Sequence, residues 1–257
     1  MNRVEAKAPG AGLTEDGLLN RRLLLRQPAR GYRAGSDAVL LAAAVPAKAG
    51  ESVLDVGAGV GAVSLCLAWR CPGIELVGLE RAAELAALAT ENAKANGQAA
   101  RFRVLCGDVA AAPAEIRQRR FDHVVSNPPF YEAGTGSASP EPLKAGAHAE
   151  DEVPLADWLA FCLKRLAPGG LLSVIHRASR LPGLLAALDG RAGDIAVLPL
   201  WPATGRPAKR VIVQARAGSR APARLLLGLT LHQADGSDTA QAHAILRDGA
   251  ALSMTEG

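Results

Sequence analysis

Aromatic side chains are scarce in this 257-residue chain, which holds only 3 Trp, 2 Tyr and 4 Phe. Two adjacent aromatics therefore ask for a reason. Cysteine is as rare: Cys66, Cys71, Cys106 and Cys162 form no C-x-x-C pair, and each falls in an apolar segment. That pattern argues against a disulfide framework or a zinc-type site and predicts buried, reduced thiols. The 5 histidines are scattered without ligand spacing, so no metal site is expected. No apolar run approaches the ~20 residues of a membrane span. Met1-Asn2-Arg3 opens into a charged, Gly-containing segment that lacks the apolar stretch of a signal peptide, which predicts a cytoplasmic protein with no membrane partner. No internal repeat is present, and nothing implies an obligate protein partner. Acidic residues are missing from the whole stretch between Pro199 and Leu231.

What the chain does have is enough apolar sequence, 49% of it, to bury one substantial core. Residues 1–12 alternate Ala, Gly, Pro and charge without apolar period and predict a mobile tail. Residues 13–257 read as a single domain with an N-terminal cap segment over 13–50, in which Leu18 to Leu25 alternates poorly and Gly31 to Gly35 reads as a turn. Asp37 could cap an apolar helix from Ala38 to Val45. From there strands and helices alternate. Strands are expected at Ser52–Val56, Ile74–Leu79, Phe102–Cys106, Phe121–Ser126, Leu171–His176, Ile195–Leu200, Arg210–Ala215 and Leu225–Leu231. Helices are expected at Ala62–Arg70, Ala82–Asn96, Pro154–Leu166, after Ser179, and at Ala240–Leu246. This βα order predicts an α/β fold with a mostly parallel sheet and helices on both faces. Residues 132–152, rich in Gly, Ala, Ser, Pro and charge, are a long connection of the kind that serves as a lid or binding loop.

Two motifs sit at strand ends, where ligands collect in open α/β sheets. After Phe121–Ser126 comes Asn127-Pro128-Pro129-Phe130. Two prolines fix φ, remove two backbone donors and hold Asn127 extended, so its side-chain oxygen and the nearby carbonyls, that of Pro128 included, become acceptors facing one point. Such acceptors suit an NH2 group. Accepting both of its hydrogens favours a pyramidal nitrogen whose lone pair points at an electrophile, while Phe130 or Tyr131 stacks on the attached ring. An Asn-Pro turn alone would be ordinary; the whole tetrapeptide after a buried strand is not.

The second motif, Asp55-Val56-Gly57-Ala58-Gly59-Val60-Gly61, ends a strand in a glycine loop that opens a helix. Taken alone it also fits a dinucleotide fingerprint. Glu80, ending the next strand, can take two ribose hydroxyls, and Asp108, just past the third, is placed to accept from an adenine amine. Asp55 beside the loop suits a cationic sulfonium and amino group better than a pyrophosphate. Asp55 as a loop-fixing hydrogen bond and Asp108 as a turn residue are the plainer alternatives.

Together, D-x-G-x-G-x-G, the acid ending the second strand, Gly-Asp after the third and N-P-P-F after the fourth resemble a class I S-adenosylmethionine-dependent methyltransferase acting on an amino group. Within that group, the segment Gln27 to Asp37 and the stretch Leu231 to Leu246 look most like the bacterial tRNA(Val) adenine-N6-methyltransferase family, which modifies the adenine beside the anticodon. The resemblance implies a Rossmann-like methyltransferase fold with a seven-stranded sheet, S-adenosyl-L-methionine as cofactor and tRNA as substrate. By position, it implies that Gly57, Gly59 and Gly61 pack on the methionine part and ribose, Glu80 holds the ribose hydroxyls, and Asp108 with Val109 reads the adenine. Asn127, Pro128, Pro129 and Phe130 would hold the target base, Asn127 abutting the cofactor as well. Phe130 stands where Tyr is commoner, losing a hydroxyl but keeping the stacking face; Tyr131 could share its role.

Net charge is +4, unevenly spread. Arg21, Arg22, Arg26, Arg30 and Arg33 crowd one segment, and Arg206, Lys209, Arg210, Arg216, Arg220 and Arg224 another. Two such clusters could converge on one anion-binding face, with Lys144 and His148 of the long loop closing over it. Arg30, Arg33, Arg206, Lys209, Arg210, Lys144 and Tyr131 are thus the expected substrate contacts. Protein glutamine N5-methylation uses the same amide grip and stays open, as do a dinucleotide-dependent oxidoreductase and a non-catalytic RNA-binding module.

Overall fold

The computed structural model describes residues 12–31, 33–129 and 153–255. Phe130, Tyr131, Lys144, His148 and nearly all of the expected N-terminal tail lie outside them. Among the described residues no helix is long and apolar enough to cross a membrane, and no group of His, Cys, Asp and Glu could hold a metal ion.

A hairpin leads. β1 (Leu13–Leu18) and β2 (Leu23–Pro28) pair antiparallel, Leu18 opposite Leu23. The turn between them holds Leu19, Asn20 and Arg21 at φ of 50, 53 and 60° without a glycine. After α1 (Ser36–Ala44) the alternation begins: β3 (Ser52–Val56), α2 (Ala62–Arg70), β4 (Glu75–Glu80), α3 (Ala83–Ala95), β5 (Phe102–Cys106), α4 (Ala114–Arg117) and β6 (Phe121–Ser126). Next come α5 (Leu155–Arg165), β7 (Leu166–Arg177), α6 (Leu181–Leu188), β8 (Ala192–Ala203) and β9 (Arg210–Ala217), and finally β10 (Arg224–Leu225), β11 (Leu229–His232) and α7 (Ala240–Asp248).

The large sheet runs β10-β8-β9-β7-β6-β3-β4-β5. Strands β3 to β7 are mutually parallel where they pair, and β9 lies antiparallel between β7 and β8. Strand order reverses between β3 and β6, which makes that crevice the topological switch point. Alternate residues feed two cores: Val53 belongs to the layer with α1, α2 and the hairpin, whereas Leu54 and Val56 belong to the layer with α5 and α6.

The sheet has nine strands, two more than the seven implied. β10 and β11 both add to β8, so the single strand expected at Leu225–Leu231 is split. Gly228 breaks it: φ is +92°, and a Cβ there would lie 2.4 Å from the Pro199 carbonyl oxygen. The strand expected at Leu171–His176 starts earlier, with Pro168-Gly169-Gly170 inside β7, whose Leu166 pairs Phe121 before a register shift. Asp37 does not cap α1. It lies in the first helical turn and its Oδ2 accepts from Arg210 Nε at 2.8 Å.

The hairpin docks through side-chain amides. Asn92 Oδ1 accepts from Arg26 N at 2.9 Å, and Asn92 Nδ2 donates to Arg26 O at 2.9 Å and to Val60 O at 3.0 Å. One turn later, Asn96 Oδ1 accepts from Leu24 N at 2.9 Å and its Nδ2 donates to Leu24 O at 2.7 Å. The two amides of α3 thus satisfy one edge of β2 as a neighbouring strand would.

Candidate active site

Four consecutive strands, β5-β4-β3-β6, deliver their carboxyl ends to one edge, and each ends in an expected site residue. At β3 the chain turns through Gly57, Ala58, Gly59 and Val60 into α2, with Gly61 at the N-cap and φ +87°. A Cβ on Gly61 would lie 2.8 Å from the Phe102 ring, so both the backbone and the space require glycine. Around Gly59 nothing stands within 4 Å of a Cβ position; the loop is open on that side.

Glu80 ends β4 and caps the loop. Gly59 N donates to its Oε2 and Ala82 N to its Oε1, each at 2.8 Å. The Gly59 amide is thereby committed to a carboxylate. That carboxylate keeps lone pairs for hydroxyl donors. The site therefore fits a ribose and a cationic group, as in S-adenosyl-L-methionine. Asp108 follows β5 in the next position: Gly107 N donates to Glu80 O at 2.9 Å, and Asp108 Oδ1 accepts from Ala110 N at 2.8 Å, closing a turn. Its other oxygen is 3.7 Å from Arg81 Nε. Val109 packs partly buried against the core.

Asp55 is placed differently from the others. It is 1% exposed, and its Oδ2 accepts from Ser64 Oγ at 2.8 Å beneath the loop. Burial raises its carboxyl to about 7; the Ser64 hydrogen bond opposes this and the charge of Glu80 adds to it. A solvent-excluded carboxyl touches no ligand in this conformation, so the loop-fixing alternative describes it better than direct contact with a cation.

At β6, Ser126 is the last ladder residue, opposite Val56, and Asn127 follows with its Oδ1 buried. Pro128 is buried and Pro129 exposed. Ser126 Oγ donates to the Val56 carbonyl at 2.8 Å and accepts from Trp158 Nε1 at 2.9 Å. Neither Ser126 nor Trp158 was marked by a sequence motif. Ser126 had one available signal, its place as the polar end of an apolar strand.

The basic residues divide. Arg33 is committed to the cap, with Nη2 2.6 Å from Asp16 Oδ2 and Nη1 donating to Thr14 Oγ1 at 2.7 Å. Arg210 is committed to Asp37. These pairs fix structure and leave Arg30, Arg206 and Lys209 exposed, with no ion pair to another described residue. Around the later cluster, the Arg210 pair joins β9 to α1, Arg210 lies opposite Arg177 at the end of β7, and Ala178 N donates to Lys209 O at 3.0 Å. Burial, then the charges of Arg180, Arg177 and Arg210, lower His176 to about 4, so its ring is neutral and Nδ1 accepts from Arg177 N at 2.8 Å. Arg177 and Arg180 were missed by sequence reasoning; they follow β7 just as Asn127 follows β6.

Cys106 was expected to be buried and is exposed, because it closes edge strand β5; its Sγ lies 3.6 Å from Arg81 O. The other three thiols are buried, which raises all of them and takes Cys66 up to about 12. A cavity of about 270 Å³ lies elsewhere, at the opposite ends of β4 and β5 among Glu75, Thr90, Lys94 and Arg101.

A sheet reversing at a glycine loop, with carboxylates at the next two strand ends and one antiparallel strand, defines a Rossmann-like methyltransferase. A solved structure with the same architecture, a predicted O-methyltransferase from Agrobacterium tumefaciens, is 27% identical with a TM-score of 0.70, covering 84% of this chain and 98% of that one. An S-adenosylmethionine-dependent O-methyltransferase from Thermotoga maritima, 18% identical with a TM-score of 0.53 over 74% of this chain and 68% of that one, shares the fold. The chain belongs to the methyltransferase small domain family, whose profile matches residues 33–179. S-adenosyl-L-methionine is the cofactor implied. Curated relatives are tRNA1(Val) (adenine(37)-N6)-methyltransferases. The one from Enterobacter sp. is 34% identical over 52% of this chain and 54% of that protein, and the one from Dickeya chrysanthemi is 33% identical over 72% and 73%. The chain spans about half to two thirds of the length of the first such relatives it matches.

Proposed function

We propose that this protein methylates the exocyclic N6 amine of an adenine in tRNA, with the anticodon-loop adenine of tRNA(Val) as the substrate. The observation that carries this is the joining of Asn127 to the glycine loop: the residue before it, Ser126, donates to the last carbonyl of β3, so an amine acceptor sits beside the cofactor loop. S-adenosyl-L-methionine, when bound, supplies the electrophilic methyl carbon, and Glu80, Asp108 and the face at Gly59 would hold it.

The protein's own contribution is alignment, which can supply roughly 7–11 kcal/mol. The Asn127 oxygen and the Pro128 carbonyl accept from the amine and turn its lone pair toward the carbon. The base must be splayed from its stack, and Phe130 with Tyr131 supplies aromatic faces for it. RNA rather than protein is favoured by the gathering of Arg177, Arg180, Lys209 and Arg210 at the end of β7, with Arg206 in the same connection between β8 and β9. The names of the curated relatives point the same way.

Incubation of the protein with labelled cofactor and total unmodified tRNA, followed by mass spectrometry of the nucleosides, tests this. N6-methyladenosine in one tRNA is the expected result. Unmodified tRNA with methylated glutamine in added protein would overturn it in favour of the glutamine substrate.

A further inference from the structure

Trp158 touches both halves of the site. It lies in the first turn of α5, where its backbone N donates to Pro154 O at 2.9 Å. Its ring covers Gly57: a Cβ there would meet Cζ2 at 3.0 Å and Cη2 at 3.2 Å. Its indole N–H donates to Ser126 Oγ, whose single proton is already given to the Val56 carbonyl. The direction of every bond in the relay is therefore fixed, since indole can only donate and a carbonyl can only accept.

The position matters because the β3–β6 ladder ends at the pair Val56 and Ser126. Gly57 and Asn127, the next residues on each strand, are beyond it. One is the first residue of the loop that receives the methyl donor, and the other is the amine acceptor. Ladder hydrogen bonds no longer set their separation. Trp158 bears on Gly57 directly and on Asn127 through the preceding serine.

We propose that Trp158 is a positioning residue for methyl transfer, holding the loop and the amine acceptor at a fixed separation through the Trp158–Ser126–Val56 relay. This rests on the assignment of Asn127 as the amine acceptor. Near-attack alignment is steep in distance, so a small slip between the two segments costs turnover more than it costs binding.

The test compares Trp158→Phe, which keeps an aromatic ring but loses the indole donor and the Cζ2–Cη2 edge over Gly57, with Ser126→Ala and the double variant, each at a temperature where circular dichroism shows it fully folded. Each single variant is expected to lose about ten- to a hundredfold in kcat, while RNA KM and the calorimetric cofactor Kd stay within about twofold. The double variant should lose less than the product of the two single losses, because the Trp158–Ser126 hydrogen bond is removed in all three. Unchanged kcat in either single variant, losses that multiply in the double, or equal losses in Kd and kcat would each overturn the proposal. Turnover retained in Asn127→Ala overturns the acceptor assignment instead, and this role falls with it.

Discussion

Asn127 and Asp55 stand at the ends of neighbouring strands and do opposite work. Asn127 is the proposed amine acceptor. Asn127→Ala removes one acceptor and is expected to abolish methyl transfer while cofactor affinity by calorimetry stays within about twofold. Asp55 faces the core, and its effect is on stability. Its carboxyl rises from 3.8 to about 7, first through burial. The folded chain therefore holds a proton that the unfolded chain releases between those values, and stability falls as pH rises through that window, levelling off above it. Asp55→Asn keeps an acceptor for Ser64 and has nothing to titrate. The variant should flatten this pH dependence and raise Tm at pH 8 by roughly 3–8 °C, measured by scanning calorimetry across pH.

At the level of elements, the hairpin and the glycine loop share one fastening. Asn92 is 0% exposed and bonds to both β2 and Val60. Asn92→Ala leaves the Arg26 amide, the Arg26 carbonyl and the Val60 carbonyl short of a partner and should cost about 2–4 kcal/mol. Hydrogen exchange should quicken in β2 and in residues 57–61 together; quickening in β2 alone would show the two to be uncoupled. This fastening was not legible in the sequence, since two asparagines in an Ala-rich helix carry no sign of what they bond. The strands at Ser52–Val56, Phe102–Cys106 and Phe121–Ser126 were legible to the residue, because each is a short apolar run punctuated by Gly, Pro or Asp. The hairpin was not. Its turn uses Leu19, Asn20 and Arg21 in left-handed conformations, so no glycine or proline announces it. Of the site, the strand-end residues could be read from motif and position. Trp158 could not, because α5 reaches Gly57 and Ser126 only after the chain has crossed the sheet.

Across the whole molecule, charge and topology meet at one edge. β9 returns antiparallel beside β7 and brings Lys209 and Arg210 to the end where Arg177 emerges, while Asp37 ties the N-terminal segment to the same corner. An RNA gripping this edge displaces counterions, so its affinity should fall steeply with salt. Arg206→Ala and Lys209→Ala should each reduce the slope of log K against log salt by roughly 1, in filter binding with tRNA over a salt series. Arg33→Ala should act differently, loosening the hairpin through loss of the Asp16 pair with little change in that slope.

The edge position of β5 has a practical consequence. Three of the four thiols are shut in the core and held protonated, and Cys106 alone is open to solvent, two residues before Asp108. The native chain should take up a single equivalent of maleimide, a count that intact-mass measurement gives directly. A dye attached there would stand at the rim of the proposed cofactor site, a reporter of ligand arrival that requires no engineered cysteine.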